Sequence, residues 1–222
     1  MNNARSSGYV FIGSGGHSSV LAEIAQNLNK DVCCLVTVTP PDNNGIFSKT
    51  KFLTDNDFIK QYDNNDVILV NGIGQVPYNR TREIIYKKYT ELGYKFAKII
   101  SPGSVISTFS SLNDGVQILT GAIVQYGAKI GSNSIINTGA IVEHDSIIGD
   151  NCHIAPGSVI CGDVKIGHST IIGAGATVIQ GITIGDNCII GAGAVITKDI
   201  SSNSICFPAR TYIEKITSEK LK

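Results

Sequence analysis

Histidine is the natural general base at neutral pH, and the chain has four: His17, His144, His153 and His168. An imidazole can take a proton from an attacking group, and an adjacent carboxylate can fix its tautomer and raise its basicity. His144 is followed directly by Asp145 and preceded by Glu143, so it is the strongest candidate for such a base. The alternative is a solvated histidine beside a surface charge, which is the interpretation that we adopt for His168.

The second candidate site is the turn Gly13-Ser14-Gly15-Gly16-His17, which lies between a predicted strand and a predicted helix. Such a turn binds phosphates in α/β proteins, because backbone N–H groups and the helix N-terminus face the anion. The NAD-binding version fits poorly, since Ser18 replaces its third glycine and no acidic residue occurs at 34–38. The turn therefore predicts a nucleotide or sugar phosphate ligand, with a tight connection that needs positive φ as the structural alternative.

His144 and His153 lie within a repeat of six residues. Every sixth residue from Ile100 to Ile196 is Ile, Val or Leu, and the residue four places later is mostly small. This period excludes an α-helix, whose apolar stripe recurs at about 3.6 residues, and it matches the hexapeptide repeat of a parallel β-helix. Three hexads make one coil, so His144 and His153, nine residues apart, lie half a coil from each other and need not touch within one chain.

The residues before the repeat alternate between strand and helix patterns. Strands are predicted at 9–12, 32–38, 67–71 and 96–100, and helices at 18–28, 57–62 and 79–92. This alternation predicts a small parallel sheet. We place the domain boundary near residue 101, which gives an N-terminal domain at 1–100 and a β-helix domain at 101–222.

The composition excludes several classes of protein. The chain has 222 residues, 18 Lys and Arg, 18 Asp and Glu, and 42% hydrophobic residues, which is typical of a globular protein and not of a disordered one. Zero net charge and the absence of a basic run argue against nucleic-acid binding. No apolar run is long enough for a membrane span, and the first residues lack the core of a signal peptide, so we expect a cytoplasmic protein.

Cysteine and serine give no support to a metal site or to a covalent nucleophile. The six cysteines include no CxxC pair, so we interpret them as reduced, small apolar fillers and expect no structural metal. No GxSxG motif occurs that would indicate a hydrolase.

The separate features combine into a recognisable pattern. The start Tyr9-Val10-Phe11-Ile12-Gly13-Ser14-Gly15-Gly16-His17, the hexapeptide array, Glu143-His144-Asp145, His153 and Phe207-Pro208-Ala209-Arg210 resemble the NeuD/PglD-type sugar O-/N-acyltransferase family. The resemblance implies a Rossmann-like α/β domain followed by a left-handed parallel β-helix, although the usual crossover rule alone would predict a right-handed coil. It also implies a homotrimer, with acetyl-CoA between neighbouring β-helices and a nucleotide-linked sugar on the N-terminal domain.

The resemblance assigns roles to individual residues. It implies that His144 is the general base and that Asp145 orients it. Contacts with acetyl-CoA are implied for His153, Gly162, Ala174 and Ala192. Contacts with the sugar nucleotide are implied for Gly15, Gly16, His17, Thr37 and Gly74.

Two positions depart from the family pattern. Thr37 and Val38 stand where some relatives carry two aspartates that contact the nucleotide base. Cys206-Phe207 displaces the usual glycine before Pro-Ala-Arg, at the turn that closes over the cofactor.

The expected reaction is acetyl transfer from acetyl-CoA to the amino group of a nucleotide-linked 4-amino-4,6-dideoxy sugar, for the synthesis of a surface glycan such as an O-antigen, a capsule or a glycoprotein. The alternative within the family is O-acetylation of sialic acid or a related sugar. A non-catalytic hexapeptide protein, with the N-terminal domain as a ligand sensor, is the alternative from another class.

Overall fold

A computed structural model describes residues 8–209 of the chain. Its N-terminal part contains five parallel strands and three helices, in agreement with the predicted α/β domain. The strands are β1 (Tyr9–Ile12), β2 (Val32–Val36), β3 (Phe52–Leu53), β4 (Ile68–Asn71) and β5 (Lys95–Phe96). The helices are α1 (Gly16–Asn27), α2 (Asp55–Gln61) and α3 (Thr81–Glu91). The sheet order is β3-β2-β1-β4-β5, so β1 and β4 are neighbours at its centre.

Several details differ from the sequence prediction. Strand β2 ends two residues early, and α2 and α3 span 55–61 and 81–91 instead of 57–62 and 79–92. Helix α1 begins at Gly16, two residues earlier than predicted, so it includes the last two residues of the glycine-rich turn. The single strand predicted at 96–100 is wrong, because β5 ends at Phe96 and a separate strand (Ile99–Ile100) belongs to the β-helix. The short strand β3 was not predicted, because two residues are too few to show an alternating pattern.

The β-helix consists of two-residue strands on three faces. The covered face, against which the N-terminal domain packs, contains β6 (Ile99–Ile100), β9 (Gln117–Ile118), β12 (Ile135–Ile136), β15 (His153–Ile154), β18 (Ile171–Ile172), β21 (Ile189–Ile190) and β23 (Ile205–Cys206). The apolar face contains β7 (Val105–Ile106), β10 (Ile123–Val124), β13 (Ile141–Val142), β16 (Val159–Ile160), β19 (Thr177–Val178) and β22 (Val195–Ile196). The polar face contains β8 (Ser111–Leu112), β11 (Lys129–Ile130), β14 (Ile147–Ile148), β17 (Lys165–Ile166) and β20 (Thr183–Ile184).

Each coil has 18 residues, as the hexads predict. Ile123 pairs with Ile141 and His153 pairs with Ile171, both in parallel register. All the apolar residues of the six-residue period pack in one interior cluster, where Ile100, Ile106 and Leu112 in the first coil are only partly buried. The small residues four places later, such as Ala122 and Ser146, are buried at the corners. The repeat therefore fills the core of the coil at every turn.

The corners form three edges that run along the β-helix. The first edge lies between the covered and apolar faces and includes 137–140, 173–176 and 191–194. The second edge lies between the apolar and polar faces and includes 143–146 and 161–164. The third edge lies between the polar and covered faces and includes 131–134, 149–152, 167–170 and 185–188.

An apolar cluster joins the N-terminal domain to the covered face. Phe11 and Leu21 from the α1 side of the sheet pack with Ile99 and Ile135 of the β-helix. The other side of the sheet is covered by a separate cluster around Phe58 and other residues of the N-terminal domain. The β-helix therefore packs against α1 and one side of the sheet, and the carboxyl ends of β1 and β4 are held near its surface.

A buried polar network strengthens this contact. The Arg82 guanidinium donates through Nε to the Asn133 carbonyl at 3.1 Å, and through Nη1 to the carbonyls of Asn71 and Ile73 at 3.0 and 2.7 Å. Asn71 Nδ2 donates to Asn133 Oδ1, and Gln117 Nε2 donates to the Asn71 carbonyl. Because buried donors and acceptors need partners, this network fixes the end of β4 against the third edge and the covered face.

The cysteines agree only in part with their prediction as fillers. Cys34, Cys152 and Cys188 are buried, which confirms that interpretation for them. Cys33 is exposed, because it precedes Cys34 in β2 and adjacent residues of a strand face opposite sides. No helix within residues 8–209 combines the length and the apolar character needed to cross a bilayer.

Candidate active site

His144 and Asp145 form a hydrogen-bonded pair on the second edge. His144 Nδ1 lies 3.0 Å from Asp145 Oδ2, and the two side chains are 53% and 58% exposed. Asp145 has a φ of +60°, a conformation that aspartate tolerates, and its N–H donates to the Tyr126 carbonyl in the preceding coil. When Nδ1 donates its proton to the carboxylate, Nε2 keeps its lone pair, and no hydrogen bond within residues 8–209 occupies it, so it can accept a proton. This is the geometry of an oriented general base.

Gly162 lies one coil below His144 and makes room for the imidazole. A Cβ atom at position 162 would lie 2.5 Å from His144 Nε2 and 2.6 Å from Cε1. Any side chain here would therefore displace the ring from its place at the corner. The residue was predicted to contact a cofactor, and within the chain it limits the position of the candidate base.

Replacing Gly162 with alanine is expected to lower kcat by about tenfold or more, because a shift of about 1 Å in a reacting group can cost 10²-fold. The free energy of unfolding should change by less than about 1 kcal/mol, because the new methyl group meets the end of an exposed side chain. Steady-state kinetics and urea unfolding measure the two quantities. Gly45→Ala is the control, since a Cβ there meets only ordinary contacts at 3.6 and 3.7 Å. An unchanged kcat in Gly162→Ala would contradict the role of His144.

His153 lies on the covered face beside the first edge, and both of its ring nitrogens have partners. Nδ1 lies 3.1 Å from the Gln75 carbonyl, which can only accept, so Nδ1 carries the proton. Nε2 lies 2.9 Å from Asn137 Nδ2, whose amide is oriented because Oδ1 accepts from the Thr138 N–H. Burial lowers the pKa of His153 to about 4, so the ring is neutral at pH 7. Asn137 was not predicted, because nothing in the hexapeptide pattern distinguishes it.

The predicted substrate residues meet at the carboxyl ends of β1, β2 and β4. Ser14 Oγ lies 3.3 Å from Thr37 Oγ1, and a Cβ at Gly74 would lie 3.4 Å from His17 Cβ. Ligands of parallel α/β sheets bind at this end of the strands. The structure therefore brings the glycine-rich turn, Thr37 and Gly74 to one place.

The glycines of this turn have different roles. Gly13 has a φ of +92°, so the tight connection requires glycine at this position. Neither Gly15 nor Gly16 has positive φ, and a Cβ on either would meet no atom within 4 Å. Backbone strain and protein packing therefore do not explain why these two positions lack side chains, whereas a ligand close to the backbone would.

His17 is held in one tautomer from the β-helix. Gln117 donates through Nε2 to the Asn71 carbonyl, so its Oε1 is an acceptor, and it lies 2.8 Å from His17 Nε2. His17 Nε2 therefore carries the proton, and Nδ1 keeps its lone pair. Burial, with a smaller contribution from the charge of Arg82, lowers the pKa of His17 to about 4. Gln117 was not predicted, because this contact spans 100 residues of sequence.

Comparison with known proteins adds independent information. The family described as Bacterial transferase hexapeptide (six repeats) matches residues 127–162 and 163–198. A variant of perosamine N-acetyltransferase from Caulobacter crescentus, solved with CoA and GDP-perosamine, is 31% identical over 89% of this chain and 92% of its own, with a TM-score of 0.82. The chain belongs to the left-handed β-helix family of sugar acetyltransferases. Its coil is therefore left-handed, as the resemblance implied.

Two other solved structures have the same architecture. The acetyltransferase domain of PglB from Neisseria gonorrhoeae, solved with acetyl coenzyme A, is 28% identical over 93% of this chain and all of its own, with a TM-score of 0.82. WeeI from Acinetobacter baumannii, at 22% identity over 89% of this chain and 95% of its own and a TM-score of 0.69, shares the fold. No curated protein sequence matches.

The residues expected to act together in this acetyltransferase lie on different parts of one chain. His144 and Gly162 lie on the second edge, whereas Ala174 and Ala192 lie exposed on the first edge, one coil apart. His17 and His153 lie at the covered face. No hydrogen bond of residues 8–209 links His144 to His17 or His153. The apolar face separates the two groups.

The closing segment is described only in part. Cys206 belongs to β23, and Phe207 is 81% exposed. Pro208 fits against Gly191, where a Cβ would lie 2.6 Å from its Cδ. Arg210, the last residue of the Phe207-Pro208-Ala209-Arg210 motif, lies outside the described residues. His168, interpreted above as a solvated histidine, has a side chain that is 63% exposed on the third edge.

The two low pKa values predict how stability depends on pH. Each histidine has a folded-state pKa of about 4, below its ordinary value of about 6.5. Between these values the unfolded chain binds protons that the folded chain does not, so stability is complete above about pH 6.5 and decreases as pH falls toward 4. Each histidine should contribute up to about 1.4 kcal/mol per pH unit between pH 6.5 and 5.

Urea unfolding at several pH values between 5 and 7.5 measures this slope. His17→Gln should remove about half of it while keeping a donor for Gln117. A free energy of unfolding that stays constant between pH 5 and 6.5 would contradict the assignment of two neutral, buried imidazoles.

Proposed function

We propose that this acetyltransferase moves the acetyl group of acetyl-CoA onto the amino group of a nucleotide-linked 4-amino-4,6-dideoxy sugar, with His144 as general base. The observation that carries the proposal is the exposed His144–Asp145 pair directly above Gly162. The relative from C. crescentus was solved with CoA and GDP-perosamine, which belongs to this class of sugar nucleotide. The PglB domain was solved with acetyl coenzyme A.

The reaction needs one proton acceptor and one group that stabilises negative charge. The sugar amine attacks the thioester carbon while His144 Nε2 takes its proton, and Asp145 stabilises the resulting imidazolium. The C–S bond then breaks, and CoA leaves as a thiolate that is protonated by the imidazolium or by water. The Gly162 N–H donates no hydrogen bond within residues 8–209, so it is available to the carbonyl oxygen as charge develops there. No covalent enzyme intermediate is required.

The first edge offers a surface for the long chain of acetyl-CoA. Ala174 and Ala192 are exposed at equivalent corners of consecutive coils, and their side chains end at Cβ. A corner built from small residues allows an extended ligand to lie close to the backbone. His153 and Asn137 are located near this edge, where a contact from the imidazole to the cofactor would replace its bond to Asn137.

The N-terminal domain offers a site for the nucleotide diphosphate. Helix α1 has 12 residues and begins at the glycine-rich turn without a side-chain cap, so its first N–H groups and its dipole favour an anion. Gly15 and Gly16 leave space for that anion. Thr37 lies at the end of β2, where it would face the base or ribose. The neutral His17, with a lone pair on Nδ1, suits a ligand donor such as a hydroxyl or amino group.

A homotrimer would complete the active site. The outward residues of the apolar face are Val105, Ile123, Ile141, Val159, Thr177 and Val195, whereas those of the polar face are Ser111, Lys129, Ile147, Lys165 and Thr183. Val105 and Val195 are 66% and 63% exposed in the single chain, which favours burial of this face against another copy. If three apolar faces meet around a threefold axis, the first edge of each chain lies beside the second edge of the next.

We expect the product to enter a surface glycan. The location of the protein in the cytoplasm stays a prediction.

The proposed reaction is tested by mass spectrometry of reactions with acetyl-CoA and UDP-, dTDP- and GDP-linked 4-amino sugars. Free sialic acid is tested in parallel, and His144→Ala is the control. A gain of one acetyl group on the amine of a nucleotide-linked sugar supports the proposal. Acetylation of sialic acid alone would favour the O-acetyltransferase. No reaction, and no change in Tm with acetyl-CoA, would favour a non-catalytic protein.

A further inference from the structure

A separate cavity lies on the third edge, where the segment leading into α3 faces the corners of the β-helix. Its volume is about 380 Å³, within the range of small-molecule sites, which extends from about 300 to 1,000 Å³. Gln75, Arg80 and Arg82 line it from the N-terminal domain, and Ser169 and Asn187 line it from the third edge. His144 lies on the second edge and Ala174 and Ala192 lie on the first, so the cavity is separate from these residues. Gln75 connects its wall to the proposed substrate site, because it follows Gly74 and its carbonyl bonds to His153.

Two buried polar atoms of the cavity lining have no partner. In residues 8–209, the only buried side-chain nitrogen or oxygen atoms without a hydrogen bond are Arg82 Nη2 and Gln75 Oε1. Arg82 is 2% exposed, and its Nε and Nη1 donate to backbone carbonyls. Gln75 Nε2 donates to the Asn151 carbonyl, which leaves Oε1 as a free acceptor. Because buried polar groups are normally paired, a free donor and a free acceptor on two residues of the lining indicate that a partner is absent at the wall of this cavity.

The charge of the cavity shows which ligand it would accept. Arg82 forms no salt bridge with any residue of the described part, and although burial lowers its pKa to about 9, it stays protonated at pH 7. Arg80 adds a second guanidinium, which bonds to Asn187 Oδ1 and lies 3.5 Å from Glu83 Oε2. The lining therefore holds two cations and one carboxylate. A buried cation without a counter-charge is unfavourable, and an anion would relieve this cost.

We propose that the cavity binds a small anionic polyol about the size of a monosaccharide. Its phosphate or carboxylate group faces Arg82, and its hydroxyl groups bond to Gln75 Oε1 and to Ser169 and Asn187. Ordered water could fill the same hydrogen-bonding positions, but it would leave the charge of Arg82 without a counter-ion. The ligand contacts both the N-terminal domain and the β-helix, so its binding should hold the two together.

Calorimetric titration of the full chain tests this proposal with four probes: glucose 1-phosphate, inorganic phosphate, glucuronate and glucose. Saturable binding of glucose 1-phosphate or glucuronate at one site per chain is expected, and the tighter of the two identifies the anionic group. Glucose, which lacks the charge, should bind at least about tenfold more weakly. Saturating CoA and GDP should leave the affinity unchanged, because the two sites are separate.

The variant Asn187→Asp should weaken binding of the anion on the order of tenfold, because it adds a negative charge to the lining. Its fold should be kept, since Asn187 has a φ of +54° and aspartate tolerates this conformation. Asn43→Asp, an exposed position of the N-terminal domain, carries the same charge change away from the cavity and should bind as the wild type does. Absence of saturable binding in the millimolar range, equal binding of glucose, competition by CoA or GDP, or equal affinity of the two variants would overturn the proposal.

Discussion

Replacing His144 with alanine is expected to lower kcat by about 10²–10⁴-fold, the usual contribution of a general base. The loss should fall on kcat and not on KM, because the imidazole acts on the amine as the new bond forms and contributes little to binding of the ground state. Folding should be little affected, because the side chain is 53% exposed and its only hydrogen bond in the described chain is to Asp145, which is itself exposed. Steady-state kinetics with acetyl-CoA and the accepted sugar nucleotide measure the effect.

His168→Ala is the matched control for this variant. His168 also lies at a corner of the β-helix beside a carboxylate, with Nδ1 3.6 Å from Asp150 Oδ2, and it is 63% exposed. It lies on the third edge, however, where its Nδ1 accepts the Asp150 N–H, and the residue one coil below it is Asp186 and not a glycine. We expect the kcat of the His168→Ala variant to stay within about twofold of the wild-type value. Equal losses in the two variants, or nearly full activity in His144→Ala, would show that His144 is not the base.

The sequence predicted the architecture because its signals are local and repeated. Each hexad places one apolar residue inside the coil, as the pairing of the buried Val124 with the buried Val142 shows. Because the pattern recurs in every hexad, one irregular hexad would not have changed the prediction. The His144–Asp145 pair was also predictable, because the two residues are adjacent in sequence and bond to each other. Substrate residues could be predicted in part, because Gly15, Gly16 and His17 follow one strand.

The remaining site residues depend on contacts between distant parts of the chain. Gln117 fixes the tautomer of His17 across 100 residues, and His153 meets the Gln75 carbonyl across 78. Neither glutamine belongs to a motif, since its role arises only when the N-terminal domain packs on the covered face. The burial of Arg82, which forms no salt bridge within residues 8–209, was likewise not predictable, because an arginine in an amphipathic helix usually faces solvent. Residues of this kind can be identified only from the packed structure.

An active site formed between subunits should allow two inactive variants to restore each other. His144→Ala disables the second edge of a chain but leaves its substrate turn intact, whereas His17→Ala disables the substrate turn and leaves the second edge intact. In a trimer that contains both chains, some interfaces pair the intact turn of one chain with the intact second edge of the next. Random assembly from equal amounts gives such a pairing at about one quarter of the sites.

Co-expression of the two variants with different affinity tags tests this arrangement. Purification through both tags in sequence removes the trimers that contain only one variant. In every remaining mixed trimer one of the three interfaces is productive, so kcat per chain should reach about one third of the wild-type value, while each variant alone stays low. The expected reason is geometric. In one chain the apolar face separates His144 from the first edge, so in the proposed trimer a substrate held by the turn of one chain would reach His144 of the neighbouring chain. Mixed oligomers without activity would indicate that the whole active site belongs to one chain. A monomer in sedimentation experiments would contradict the proposed interface itself. Recovery of activity would instead identify the apolar face, from Val105 to Val195, as the surface that brings the base to its substrate.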